Sequence, residues 1–271
     1  MPELPEVETA MRGLETRLLG RRITSFVQHR ADLRFPLPPA LPDRLIGCRF
    51  VAFSRRAKYI LAALDSDHTL LLHLGMSGRL LFDGDVVAKH EHLTFGFDDG
   101  SKLRYVDPRR FGMLDLVAAS ALPNHPRLVD LGLEPLDPTF DGKALRAKLA
   151  KRHSPIKIAI MNQKLVVGVG NIYACESLFR AGIAPGREAS SLKSRHYMRL
   201  AETIRAVLAE AIEAGGSSLR DYVQTDGELG YFQHQFEVYG RADLPCLVCG
   251  HPIKTIVQAN RTTFYCGRCQ R

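Results

Sequence analysis

The last 26 residues carry four of the chain's six cysteines, and their spacing is that of a metal site. Cys246-x2-Cys249, a gap of 16 residues, then Cys266-x2-Cys269 fits the pattern in which two C-x-x-C turns bring four thiolates to one tetrahedral zinc ion. The stretch from His251 to Tyr265 reads as a hairpin strung between those turns. A module this small has too little core to fold alone, so the ion supplies much of its stability. Disulfide pairing is the competing chemistry. Only Cys48 and Cys175 remain besides these four, and no signal-peptide pattern opens the chain. A reducing cytoplasm, where thiols stay free, is therefore the expected setting. Four sulfur ligands fill the shell, so the expected cofactor is one structural zinc, and any catalysis must come from other residues.

At 271 residues there is room for two domains besides this module. No apolar run approaches the roughly 20 residues that span a bilayer, so no membrane association is expected. The net charge of +8 favours a polyanionic partner. Basic residues cluster at Arg55-Arg56-Ala57-Lys58, at Asp107-Pro108-Arg109-Arg110 and at Lys151-Arg152-His153. Charge together with a zinc ribbon makes nucleic acid the expected partner, with RNA still possible on this evidence.

Val7, Met11, Leu14 and Leu18 recur at helical spacing from Pro5 to Leu19, and Gly20 stands where a C-terminal cap belongs. The next hundred residues read as β-structure. Ile60–Leu64 and Thr69–Leu74 are short apolar runs; Leu93, Phe95 and Phe97 alternate, Asp99-Gly100 turns, and Leu103 and Tyr105 resume the alternation. Short antiparallel strands of this kind imply a sandwich or barrel-like domain, with the proline-rich segment Phe35–Pro42 as a loop within it. Four prolines between Leu122 and Pro138 suggest a linker. Helical spacing follows at Leu145 and Leu149, at Ile156, Ile160 and Met161, and from Leu200 to Ile212, stopped by Gly215-Gly216. Ser217 to Val238 lacks periodicity and reads as a loop leading into the ribbon. The expected class is α+β: an N-terminal β-sandwich domain with a leading helix over 1–133, a helical domain over 134–237 and a zinc-ribbon hairpin over 238–271.

The chain opens Met1-Pro2-Glu3-Leu4-Pro5-Glu6. A small second residue permits removal of the initiator methionine, which leaves Pro2 a free secondary amine. An ordinary α-amine is roughly one tenth unprotonated at neutral pH, far more than a lysine. A prolyl amine is more basic, an effect that neighbouring cations or desolvation can offset. Such an amine attacks an electrophilic carbon to form an iminium, and Glu3 could donate a proton at the same centre. Spacing alone does not distinguish this from a glutamate that merely favours a helix N-terminus.

Taken in order, PELPEVET at 2–9, RRAKY at 55–59, HLGMSG at 73–78, DPRRFG at 107–112, KLVVGVGNIYACESLFRAGI at 164–183, DGELGYF at 226–232, VYGR at 238–241 and the terminal TFYCGRCQ resemble the formamidopyrimidine-DNA glycosylases, bacterial base-excision enzymes for oxidised purines. The resemblance runs from Pro2 to Gln270. It implies a bifunctional glycosylase and AP lyase acting on damaged double-stranded DNA as a monomer in the cytoplasm. It also implies a helix-two-turn-helix segment over Ile156–Ile183. Pro2 would attack C1′ of the damaged nucleoside, Glu3 would protonate the leaving base, Lys58 would assist β-elimination and Arg261 δ-elimination. Met76, Arg109 and Phe111 would fill the space of the extruded nucleotide. His90, Arg152, Lys157 and Asn171 fall at the family's DNA-contact positions, Asn171 after the Gly168-Val169-Gly170 turn that opens a helix. From the residues alone, Met76 and Phe111 read as strand core.

Two rivals stand beside this reading. Endonuclease VIII-type enzymes share the resemblance but act on oxidised pyrimidines; Leu4, Met76 and Phe111 favour the purine branch. A non-catalytic zinc-containing DNA-binding protein would need neither Pro2 nor Glu3, and the chain has both.

Overall fold

The computed structural model describes residues 2–82, 89–217, 225 and 229–271. The chain forms two compact units, one of 1–129 with 214–231 and one of 130–213 with 232–271.

In the first unit the leading helix, α1 (Leu4–Leu18), has Glu3 as its N-cap and Pro5 in its first turn, where a missing N–H costs nothing. Val7, Ala10, Met11, Leu14 and Leu18 are buried along one face, as their three- and four-residue spacing requires. Eight strands follow: β1 (Ile23–Gln28), β2 (Phe50–Arg56), β3 (Tyr59–Leu64), β4 (His68–His73), β5 (Arg79–Phe82), β6 (Glu91–Phe97), β7 (Lys102–Val106) and β8 (Met113–Ala118). A short helix, α2 (Leu41–Leu45), separates β1 from β2.

The strands form two antiparallel sheets, in the orders β1-β6-β7-β5 and β2-β3-β4-β8. Phe26, Leu93, Phe95 and Tyr105 of the first sheet share one core with Phe50, Ile60, Leu72 and Leu114 of the second. This is the sandwich that the alternation predicts. The turns set its chemistry: β2 and β3 meet through Ala57 and Lys58, with Arg56 opposite Tyr59. Ala57 adopts a left-handed backbone (φ 54°) so that two residues suffice.

The second unit is helical. α3 (Gly142–Leu149) is capped by the Asp141 carboxylate, which accepts from the Ala144 N–H. α4 (Ile156–Met161), α5 (Asn171–Ala181) and α6 (Ser194–Glu213) follow, α6 burying Leu200, Ile204, Val207, Leu208 and Ala211. The expected loop over 217–238 contains one helical turn, Phe232–Gln235; its residues 218–224 and 226–228 lie outside the described residues. A terminal hairpin, β9 (Lys254–Gln258) and β10 (Arg261–Tyr265), completes the unit. It shares a small core with α5, in which Cys175 and Phe179 meet Val238, Ile253 and Phe264. The buried Glu176 carboxylate accepts from the backbone N–H groups of Glu237, Val238 and Tyr239 (2.8–3.1 Å), anchoring the segment that leads into the hairpin.

At the end of β4, His73 packs on the Tyr59 ring (4.8 Å between centroids) and its Nδ1 accepts the Gly75 N–H. Burial, reinforced by Lys58, Arg34 and Arg127, lowers its pKa to about 4. Folding thus favours the neutral ring. The resulting stability is complete above the ordinary value of 6.5 and is lost as pH falls from there through about 4. The effect amounts to at most about 3 kcal/mol. His73→Gln, which cannot titrate, should flatten the acid limb of the urea-unfolding free energy in that window; an unchanged slope would show that His73 does not set it.

Candidate functional site

Asp107 organises the described DNA-contact candidates of the first unit. It is fully buried, and its polar groups join segments that are far apart in the chain. Oδ1 accepts the Ser77 hydroxyl (2.6 Å) and, more distantly, the Arg109 N–H (3.3 Å). Oδ2 accepts the Gly112 N–H (2.8 Å). Its own N–H donates to the His90 carbonyl (3.1 Å), and its carbonyl meets His92 Nε2 (2.8 Å). The carboxylate therefore binds the turn that carries Met76 to the turn that carries Arg109 and Phe111, while the Asp107 main chain holds the residue preceding β6. Tight packing leaves these turns little freedom: a Cβ on Gly112 would overlap the Tyr105 hydroxyl, and one on Gly78 would overlap the Leu74 carbonyl.

Phe111 is not core. It stands 42% exposed, with the Arg109 guanidinium 4.9 Å from its ring centre. Met76 is half-buried in the turn after β4, and His90 is exposed with a left-handed backbone (φ 72°). An exposed phenylalanine, an arginine and a methionine held by one buried acid form an apolar and cationic edge suited to stacked bases and phosphates.

Pro2 and Glu3 are both buried at the head of α1. Glu6, three residues on, is buried as well: Oε2 accepts the Glu3 N–H (2.7 Å) and Oε1 the Ser217 N–H (2.8 Å). Sequence reasoning passed over Glu6; its place at N3 of the helix, a capping-box position, is the available signal. Lys58 is buried at the β2–β3 turn. Its neighbour Arg55 is spent internally, its side chain 6% exposed and its Nε 2.7 Å from the Glu8 carboxylate. The basic cluster at 55–58 is thus partly structural.

In the second unit, Gly168 (φ 77°) turns the chain and Gly170 caps α5, so that Asn171 is the first helical residue. Arg152 is exposed in the turn between α3 and α4. Lys157 is fully buried: its ammonium donates to Asn171 Oδ1 (2.5 Å) and Thr263 Oγ1 (2.7 Å). Asn171 Nδ2 in turn donates to the Thr262 carbonyl (2.9 Å). Lys157 therefore ties the start of α5 to β10, the strand that begins with Arg261. Arg261 itself is exposed, directly after a two-residue turn in which Ala259 and Asn260 both have positive φ (47° and 58°). Glycine is commoner at such positions; Asn260 tolerates this backbone, whereas Ala259 holds it at a cost of about 1 kcal/mol or more.

The four ribbon cysteines converge. Their Sγ atoms all lie within 4.8 Å of one another, with Cys246–Cys269 at 3.9 Å and Cys249–Cys266 at 3.4 Å. A tetrahedron with Zn–S bonds near 2.3 Å has edges of about 3.8 Å, whereas a disulfide needs about 2.05 Å. The residues fit zinc. When bound, the ion joins the two C-x-x-C turns and so holds the hairpin that presents Arg261.

Three domain profiles cover most of the chain in order. The formamidopyrimidine-DNA glycosylase N-terminal domain matches residues 1–114, the formamidopyrimidine-DNA glycosylase H2TH domain 131–223, and the zinc finger found in FPG and IleRS 243–271. The formamidopyrimidine-DNA glycosylase of Cereibacter sphaeroides is 52% identical over the full length of both chains.

The chain belongs to the formamidopyrimidine-DNA glycosylase family.

The family relative from Beijerinckia indica is 49% identical, again over both full lengths. Among solved structures, the MutM (Fpg) protein of Thermus thermophilus superposes with a TM-score of 0.89 at 40% identity, covering 99% of this chain and 98% of that one. A Lactococcus lactis Fpg variant bound to Fapy-dG-containing DNA gives 0.92 at 36%, covering all of both chains.

In this glycosylase scaffold, Asp107→Ala leaves Ser77 Oγ and the Gly112 N–H without their acceptor, which should cost about 1–3 kcal/mol. It should also speed amide exchange at residues 109–112; unchanged exchange there would show that the turn holds without Asp107. Zinc chelation should abolish amide protection across β9 and β10 while leaving α6 protected. Protection that survives metal removal would make the ribbon self-supporting.

Proposed function

We propose that this chain is a DNA glycosylase and AP lyase that removes formamidopyrimidines and 8-oxoguanine from duplex DNA, with the Pro2 amine, freed of Met1, as its nucleophile. The observation that carries this reading is the full-length likeness to formamidopyrimidine-DNA glycosylases, including one solved with Fapy-dG-containing DNA and one with DNA containing an abasic site, together with a Pro2-Glu3 pair at the head of a firmly seated helix.

The Pro2 nitrogen lone pair bonds to C1′ as the glycosidic bond breaks, and the base departs with a proton from Glu3. The Pro2 nitrogen then gives its proton to Glu3, which protonates O4′ as the C1′–O4′ bond opens, leaving an iminium between Pro2 and the sugar. Its positive nitrogen acidifies the C2′ proton; loss of that proton expels the 3′-phosphate, with Lys58 assisting. A second elimination releases the 5′-phosphate, the step given to Arg261. Reaching C1′ requires the nucleotide to leave the stack. Met76 and Phe111 then replace the lost stacking, and Arg109 bonds the orphaned base. His90, Arg152 and Asn171 contact the phosphate backbone, which positions the duplex without reading sequence. Lys157 serves that contact indirectly, by fixing Asn171.

The enzyme works as a monomer in the compartment that holds the genome. Among the described residues no helix is long and apolar enough to cross a membrane. Leu4 and the exposed Phe111 favour purine over pyrimidine lesions.

Borohydride trapping on an 8-oxoguanine duplex tests the mechanism. The processed protein should give a covalent adduct mapping to Pro2, and Pro2→Gly should weaken it. Glu3→Gln should keep duplex binding and lose excision by a factor of about 100 or more. An adduct confined to an internal lysine would refute the nucleophile, and faster cleavage of thymine glycol than of 8-oxoguanine would refute the substrate.

A further inference from the structure

The geometry points to the free edge of β8 as a docking slot for a short, extended, acidic segment of another protein. β8 is the last strand of its sheet. The Ala119 N–H donates to the Asp67 carbonyl (2.8 Å) in register with the β4–β8 pairing, so odd-numbered residues face β4. Leu114 and Leu116 therefore direct their N–H and C=O groups away from the sheet. Toward one end this edge is closed, because the Gly112 carbonyl accepts the Arg34 N–H (3.1 Å). Toward the other, the Leu116 N–H donates to its neighbour's carboxylate, Asp115 Oδ1 (2.8 Å). Between these points lie the Leu114 N–H and carbonyl, and the Leu116 carbonyl follows just beyond.

The opposite wall has few N–H groups to offer their carbonyls. Residues 35–39 face β8 across a cavity of about 690 Å³. Three of those five residues are prolines without an N–H, and the Leu37 N–H donates to the Ala31 carbonyl (3.0 Å). Prolines beside an edge discourage pairing with the neighbouring loop, yet here they leave a slot with backbone groups along one side. An incoming strand adds to such an edge through its own main chain.

Charge selects the occupant. Arg44 and Arg127 both line the cavity, Arg127 lying over the Phe35 ring at 4.1 Å. Among the described residues neither takes part in an ion pair. The carboxylate in the lining, Asp115, is already engaged by the Leu116 N–H and by His125 Nε2 at 3.2 Å. An extended segment in which acidic residues alternate with apolar ones meets both cations and both hydrogen-bonding directions.

The test uses the full-length, zinc-loaded protein and a fluorescein-labelled peptide of alternating glutamate and valine, made in three forms: unmodified, and N-methylated on either alternate set of amides. The unmodified peptide should bind saturably below about 1 mM and slow exchange of the Leu114 amide. One N-methylated set should lose binding, because it carries the donors that face β8, while the other should bind like the parent. Joint Arg44→Glu and Arg127→Glu substitution should weaken binding about tenfold. If that variant folds poorly, the methylated pair, which leaves the protein untouched, still decides. Absence of saturation, or equal binding by both methylated forms, overturns the proposal. Protection of the Leu114 amide by an undamaged DNA duplex but not by the peptide also overturns it, making the slot a nucleic-acid contact.

Discussion

A single buried carboxylate fixes the candidate DNA-contact edge of the first unit. Asp107 meets its partners in loops that are far apart in the chain, and it accepts or donates at every polar atom it has. Removing an ionised group from water is expensive unless hydrogen bonds replace its hydration. The Ser77 hydroxyl and the Gly112 and Arg109 N–H groups supply that replacement, so the loops are held because the acid needs them. This is why Phe111 can stay half in water: its position is set by the backbone on both sides of it, and packing of its ring is not required.

The second unit applies the same logic with the opposite charge. Lys157 is fully buried, and its ammonium is solvated by Asn171 and Thr263. A cation at this depth needs both partners, which couples the first residue of α5 to the hairpin strand. The ribbon is therefore braced three times: by its cysteines, by Lys157 and by the Glu176 carboxylate beneath residues 237–239.

How much of this could be read from the chain depends on whether the signal is periodic. The alternation of Leu93, Phe95 and Phe97, the three- and four-residue spacing in α1 and α6, and the cysteine spacing all announce their structures, because local geometry alone produces them. Motif order carried the family. Asp107 and Glu6 were not legible as organisers, since nothing about an acidic residue in a chain with 29 of them tells which backbone amides will surround it. Lys157, between two isoleucines, gave a basic residue with no hint of burial, and Arg55 gave a surface cation where the fold makes an internal ion pair. Phe111 misled in the other direction: an apolar residue beside a strand is usually core, and only the turn geometry shows otherwise.

The burial of Pro2 and Glu3 has a practical consequence for handling the protein. Chain ends commonly fray, but here the first described residues are packed, and α1 behind them is pinned by five core side chains. A purification tag fused upstream would convert the Pro2 nitrogen into an amide and would also have to thread its way out of a packed surrounding. On the mechanism proposed above, such a product folds and binds duplexes but lacks the nucleophilic amine. Preparations intended for kinetic work should therefore carry no amino-terminal extension, and their mass should be checked before any loss of turnover is blamed on a substitution.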